Sequence, residues 1–175
     1  IHPFDDPQLI AGQGTLGLEI HDDLPDVDVV VPIGGGGLIS GVAAALKQLK
    51  PGVRVIGVES SGAPAMQRSV AAGRRVTLER VDCVIDGLRV QRVGEVTLEM
   101  VRRYVDEIVT LPDEAIFEAL LWVMSRCKLV VEGAAAAPVA ALLNGLVKAP
   151  GGSKVVCVLS GGNVDLDQLR GRAWN

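Results

Sequence analysis

Two glycine loops carry the residues best suited to chemistry. Gly34, Gly35, Gly36 and Gly37 follow a β-branched run over 27–33 and lead directly into a helical pattern over 38–49. Four residues without side chains let the backbone curl and come close to a ligand. At the start of a helix, unpaired N–H groups and the positive end of the dipole point the same way, which makes a phosphate site. A bare strand-to-helix turn needs fewer glycines, because each one adds entropy to be lost on folding. The second loop, Ser160-Gly161-Gly162-Asn163, ends the apolar run over 155–159. Alone it is a turn with serine and asparagine at its ends. Beside a phosphate loop on another strand end, it can take the ring of the same ligand.

The spacing narrows the choice of phosphate. A dinucleotide fingerprint needs glycine or alanine at its last position, but counting from Gly34 that place is Ile39, and from Gly35 it is Ser40. No G-x-x-x-x-G-K-[ST] run occurs, so a P-loop is excluded. Glu59 lies about 20 residues past the glycines, where a ribose-binding acid belongs, and keeps a nicotinamide-binding alternative open. The five lysines (Lys47, Lys50, Lys128, Lys148, Lys154) fall on helices, a helix end or a strand start, and are expected as solvated surface charges.

These loops need elements to position them. Apolar periodicity predicts a glycine-weakened helix over 8–24, a buried strand over 27–33, helix 38–49 and strand 53–58 ending at Glu59. A helix over 63–72, a weak stretch over 74–92, helix 93–104 and strand 107–111 follow. Pro112, with Asp113 and Glu114 beside it, starts a helix to about 128. Helix 134–147 and strand 154–159 complete the pattern. Strand, glycine loop, helix and strand make a βαβ unit with a right-handed crossover.

The chain of 175 residues suits one domain, and 49% hydrophobic with 22% charged residues gives a packed core. Valine-rich strands with alanine-rich helices predict an α/β three-layer sandwich with a mostly parallel sheet. A net charge of −4 without a basic stripe argues against a nucleic-acid partner. No apolar run approaches the roughly 20 residues that span a bilayer. Cys83, Cys127 and Cys157 form no C-x-x-C pair and fit reduced thiols of a cytoplasmic protein. The chain opens on Ile1 rather than Met, and a cleaved product or fragment is expected.

Several segments resemble one enzyme family. Val31-Pro32-Ile33-Gly34-Gly35-Gly36-Gly37-Leu38 resembles the phosphate loop of pyridoxal-phosphate enzymes of the tryptophan-synthase-β fold type. Val158-Leu159-Ser160-Gly161-Gly162-Asn163-Val164-Asp165 resembles the segment whose serine meets the pyridine nitrogen. His2-Pro3-Phe4-Asp5-Asp6-Pro7, Ala11-Gly12-Gln13-Gly14-Thr15, Asp86-Gly87-Leu88 and Val131-Glu132-Gly133 are similar to the threonine dehydratase and serine racemase branch. The resemblance runs in order over nearly the whole chain.

It implies that Gly34 to Gly37 and the Leu38 amide hold the phosphate of pyridoxal 5′-phosphate. Ser160 and Gly161 would meet the ring, with Gly87 and Glu132 nearby. A neutral hydroxyl at the ring nitrogen offers no charge compensation, so the pyridine need not stay protonated. The implied reaction is β-elimination of L-threonine or L-serine to a 2-oxo acid and ammonia, in a homodimeric lyase.

Departures matter as much. The family's Schiff-base lysine, in a Ser-Phe-Lys-type motif, and its Asn-containing carboxylate loop have no counterpart here, so no catalytic residue is assigned. The chain is therefore expected to be the C-terminal, cofactor-holding part of the large domain, inactive and weakly binding alone, with the smaller substrate domain missing. Serine racemases place a divalent cation, Mg2+ or Ca2+, on residues matching Glu59, the Ala63 carbonyl and an acid two positions on. That last position is Ala65, and losing a carboxylate weakens such a site. This favours dehydratase over racemase. The chain ends soon after Asp165, which matches the short catabolic type. A phosphate-ligand binding module without chemistry is the alternative from another class.

Overall fold

Val29, Val30 and Val31 are completely buried, as a β-branched run must be when both faces of its strand are covered. The computed structural model describes residues 2–165. In chain order the elements are helix α1 (Pro7–Asp23), strand β1 (Asp28–Pro32), helix α2 (Gly37–Leu49), strand β2 (Val55–Ser60) and helices α3 (Ala65–Ala72) and α4 (Glu95–Tyr104). Strand β3 (Glu107–Leu111), helices α5 (Asp113–Cys127) and α6 (Gly133–Leu143) and strand β4 (Val155–Cys157) follow. The strands form one parallel sheet in the order β3-β2-β1-β4.

Chain order and sheet order together set the layers. From β1 through β2 to β3 the chain steps in one direction, so right-handed crossovers put α2, α3 and α4 on the same face. The return from β3 to β4 runs the other way and puts α5 and α6 on the opposite face. Contacts agree: α2 packs on β1 and α4, while α6 packs on β1, β2 and β3. The chain leaves β1 to one side and comes back on the other, so the topological switch point lies between β1 and β4. Open α/β sheets bind ligands at that crevice.

Local chemistry explains where the elements start. Asp6 caps α1, its Oδ1 accepting from the Gln8 N–H at 2.8 Å and the Leu9 N–H at 3.2 Å, with Pro7 at the first helical position. The glycines that weaken α1 on paper are where it crosses α2. A Cβ on Gly17 would lie 2.8 Å from the Val42 carbonyl, and one on Gly41 would collide with the Ile10 carbonyl. On the other face, Ala135, Ala136, Ala137, Ala140 and Ala141 are fully buried and let α6 lie close on the sheet.

Several boundaries differ from expectation; the strand expected over 154–159, for one, runs only over Val155–Cys157. The strand expected over 53–58 runs over Val55–Ser60, because pairing with β3 continues through Glu59 and Ser60. Glu59 is therefore inside a strand. α3 begins at Ala65 rather than 63, and α4 at Glu95 rather than 93. α6 stops at Leu143 rather than 147, since Gly145 takes φ 68° and the Leu146 N–H turns back to the Ala141 carbonyl at 3.0 Å. The weak stretch over 74–92 has no regular helix or strand; a Thr77–Arg92 bridge ties its ends.

Candidate cofactor site

Where β1 ends, the Val58 carbonyl accepts from the Ile33 N–H at 2.7 Å, and the glycine loop begins. Gly36 sits at φ +94° and ψ 0°, a left-handed conformation that glycine takes without strain, and it precedes the first residue of α2. The next internal bond is from the Ser40 N–H to the Gly36 carbonyl, at 3.0 Å. Among the described residues, no N–H from Gly34 to Ile39 donates to protein, although Gly35, Gly36, Gly37 and Ile39 are buried. Buried amides are otherwise almost always paired. This row of unpaired donors at a helix N-terminus, with the Leu38 amide inside it, is an anion cradle.

The loop is backed by protein. A side chain on Gly35 would run into the ring of Phe4, and one on Gly34 into the Gly87 carbonyl. Gly87 also faces the start of α6: a Cβ there would lie 2.7 Å from the Ala134 Cβ and 3.6 Å from Glu132 Oε1. Glu132 donates its N–H to the Gly161 carbonyl at 3.0 Å, and its Oε2 accepts from the Asn163 N–H at 3.2 Å. A Cβ on Gly161 would come within 2.8 Å of Glu132 Oε1. A cavity of about 540 Å³ lies among Asp86, Gly87, Phe117, Glu132 and Asn163.

Ser160 reaches the site through strand register. Val30 pairs with Cys157, and the Val158 N–H donates to the Val30 carbonyl at 3.0 Å. The strands are parallel, so Ser160, exposed and two residues past that last bond, lies at the same end of the sheet as the glycine loop that follows β1. The structure thus gathers Gly34 to Gly37, Leu38, Gly87, Glu132, Ser160 and Gly161 at the switch point.

Glu59 and Ala63 are placed for other work. Glu59 is 1% exposed, and its two oxygens accept from the Met66 N–H at 2.7 Å and the Gln67 N–H at 2.8 Å. It caps α3, whose own N-cap residue, Pro64, offers no side-chain acceptor. Burial pushes the Glu59 carboxyl up to about 7, against the pull of those two N–H groups. The Ala63 carbonyl accepts from the Ala65 N–H at 2.9 Å. Among the described residues, no group of three or more metal-ligating side chains occurs.

The lysines also stand elsewhere. Lys47 pairs with Asp106 at 2.8 Å, Lys50 with Asp26, and Lys128 donates to the Ser125 carbonyl at 2.6 Å. Lys148 and Lys154 are exposed, and no lysine lines the cavity. Cys83, Cys127 and Cys157 are free thiols. No helix among the described residues is long and apolar enough to cross a membrane.

Three residues of the site's backing escaped sequence reasoning. Phe4 lies on the loop. Asp5 caps α4, its carboxylate accepting from the Glu95 N–H at 2.9 Å and the Thr97 N–H at 3.0 Å. Thr97 donates its hydroxyl to the Gly35 carbonyl at 2.8 Å. Asp-Asp-Pro is a readable helix-start signal, but only for the helix that follows it; nothing local links Asp5 to a helix 90 residues away.

Comparison with known proteins fits this geometry. Residues 1–161 match the family described as pyridoxal-phosphate dependent enzyme. The chain is 50% identical over 171 residues to L-threonine ammonia-lyase from Thermotoga maritima, a match covering 97% of this chain and 42% of that protein. The structure of the processed form of threonine deaminase isoform 2 from Solanum lycopersicum superimposes with a TM-score of 0.90 at 38% identity, over 98% of this chain and 48% of that one. Maize serine racemase gives a TM-score of 0.90 at 39% identity, over 98% and 53%. The chain spans about half the length of the curated relatives it matches. Its loops, its parallel sheet and these likenesses agree: the chain belongs to the family of pyridoxal-phosphate dependent enzymes.

Proposed function

We propose that this chain is the cofactor-holding part of a pyridoxal-phosphate-dependent ammonia-lyase that converts L-threonine or L-serine to a 2-oxo acid and ammonia. The observation that carries the reading is the row of unpaired N–H groups from Gly34 to Ile39 at the start of α2. Such a cradle suits a phosphate dianion. A nicotinamide dinucleotide is disfavoured, because Glu59 is turned to α3 and buried rather than offered to a ribose.

In this reading Gly34 to Gly37 and the Leu38 amide hold the phosphate. Ser160 stands one strand over as a neutral hydroxyl partner for the ring nitrogen. It balances no charge there, so the nitrogen need not carry a proton. When bound, the cofactor supplies the electron sink for charge left at the substrate α-carbon. Glu132, anchored by the Asn163 N–H, keeps a carboxylate in the cavity beside Gly87 and Gly161. The covalent lysine and the substrate-carboxylate loop come from residues other than those described. The rest of the protein, and a second copy in a homodimer, would cover exposed apolar side chains such as Leu129, Val130 and Leu143. Three free thiols fit a cytoplasmic enzyme. A divalent cation is left out, because Glu59 is buried and turned to the N–H groups of α3, and Ala65 offers no carboxylate.

The test is made on the full-length protein with pyridoxal phosphate and L-threonine, following 2-oxobutanoate. Release that disappears when the lysine carrying the cofactor is replaced supports the lyase. Conversion of L-serine to D-serine without 2-oxo acid moves the assignment to racemase. Failure to bind the cofactor overturns the reading.

A further inference from the structure

A loop of four glycines has no side chain with which to hold its own shape, and each peptide plane in it can rotate at little steric cost. An anion cradle needs those planes fixed before the ligand arrives, or the ordering entropy is charged against binding. What fixes them comes from α4. Thr97 is 0% exposed, and its Oγ1 donates to the Gly35 carbonyl at 2.8 Å. A threonine within a helix commonly returns its hydroxyl to a carbonyl of the preceding turn. This one reaches across to another element instead.

We propose that Thr97 is a positioning residue for the cofactor phosphate, acting through the Gly35 carbonyl. The proposal rests on the reading of the glycine loop as the phosphate holder. The Gly35–Gly36 peptide is planar and trans, so its C=O and N–H point in opposite directions. Holding the Gly35 oxygen toward Thr97 therefore aims the Gly36 N–H away from α4. That N–H has no protein partner among the described residues. Gly36 then turns left-handed and presents the next amides at the start of α2. Successive amides in such a turn converge into a concave anion nest.

Thr97 is itself held in place. Asp5 accepts from its N–H at 3.0 Å and from the Glu95 N–H at 2.9 Å, which anchors the first turn of α4. Gly94 leaves the space that the Asp5 carboxylate occupies. The same segment lays Phe4 on Gly35, so the hydroxyl and the ring both bear on this residue. The chain from Asp5 through Thr97 to Gly35 thus links a conspicuous stretch of sequence to the geometry of the loop.

The experiment compares Thr97→Val, which keeps the shape and loses the hydroxyl, with Thr97→Ser, which keeps the hydroxyl, in the full-length holoenzyme. Affinity is measured for pyridoxal phosphate and for pyridoxal, which lacks the phosphate, from the absorbance of the bound ring. Thr97→Val is expected to weaken pyridoxal phosphate about tenfold, the worth of one buried hydrogen bond. Thr97→Ser should stay within about twofold of the parent, and pyridoxal affinity should hold in both. Unchanged pyridoxal phosphate affinity in Thr97→Val overturns the proposal. So does an equal loss in Thr97→Ser, or an equal loss for pyridoxal, because each assigns the effect to packing. Where Thr97→Val does not fold, Thr97→Ala carries the same comparison. A parent protein that binds pyridoxal as tightly as pyridoxal phosphate instead sinks the phosphate-loop reading, whatever Thr97 does.

Discussion

Burial lifts the Glu59 carboxyl from 4.5 to about 7, and the N–H groups of Met66 and Gln67 only partly offset it. A group that binds its proton more tightly when folded stabilises the fold fully below its unfolded value and loses that contribution as pH rises through its folded one. The wild-type chain should therefore lose stability between about pH 4.5 and 7 on account of this residue. Glu59→Gln stays neutral throughout, so it should gain on the wild type across that window, by roughly 3 kcal/mol at most. Urea unfolding of both chains at a series of pH values reads the difference directly. A difference that does not change with pH contradicts the argument. Glu59 also shows why a residue type and a spacing can mislead: an acid near a strand end suits a ribose, a cation or a helix start, and only its partners decide.

At the level of elements, the packing of α1 on α2 depends on the absence of side chains. Gly41 sits where an added Cβ would collide with the Ile10 carbonyl and come within 2.6 Å of the Gly14 nitrogen. On an exposed helix, Gly→Ala gains about 1 kcal/mol. Here the added methyl meets backbone, which has no rotamer to move, so the sign reverses. Gly41→Ala is expected to cost about 1–3 kcal/mol, as overpacking does, with a matching fall in Tm by calorimetry. A gain in Tm would show that the helices can separate freely. The His2–Pro7 segment belongs to this scale as well. His2 Nδ1 accepts from the Asp5 N–H at 2.9 Å, Asp5 starts α4 and Asp6 starts α1, so two adjacent acids anchor two different helices.

For the molecule as a whole, the sheet is finished on its buried faces but not around the site. Val84, Leu129, Val130 and Leu143 are all at least 49% exposed. An apolar groove of about 430 Å³ runs among α1, α2 and α4, lined by Ile10, Leu18, Ala44 and Met100. Surfaces of this kind are ones that further protein covers. The cavity among Gly87, Glu132 and Asn163 is lined by carboxylates such as Glu132 but by no lysine. The isolated chain is therefore expected to bind pyridoxal phosphate weakly and to release no 2-oxobutanoate from L-threonine. Equilibrium dialysis checks the first part, and a tight one-to-one complex of the isolated chain would contradict it.

Much of this was legible in residues alone, where a local rule has a single structural solution. Valine runs, alanine-rich helices and Pro or Gly punctuation place the strands and helices to within a few residues, because burial on two faces and helix termination are short-range demands. The tetraglycine at a strand-to-helix junction and the Ser160 loop mark the C-terminal ends of β1 and β4 for the same reason. Tertiary structure decided what depends on distant partners. It turned Glu59 inward to α3, brought Gly87 between the glycine loop and the start of α6, laid Phe4 on Gly35 and tied Asp5 to α4. It also stopped α6 at Gly145, where the chain turns back onto Ala141. Thr97 shows the limit most clearly: inside a helix it has no distinguishing pattern, and its hydroxyl acquires a purpose only when the fold sets it 2.8 Å from a carbonyl of the glycine loop.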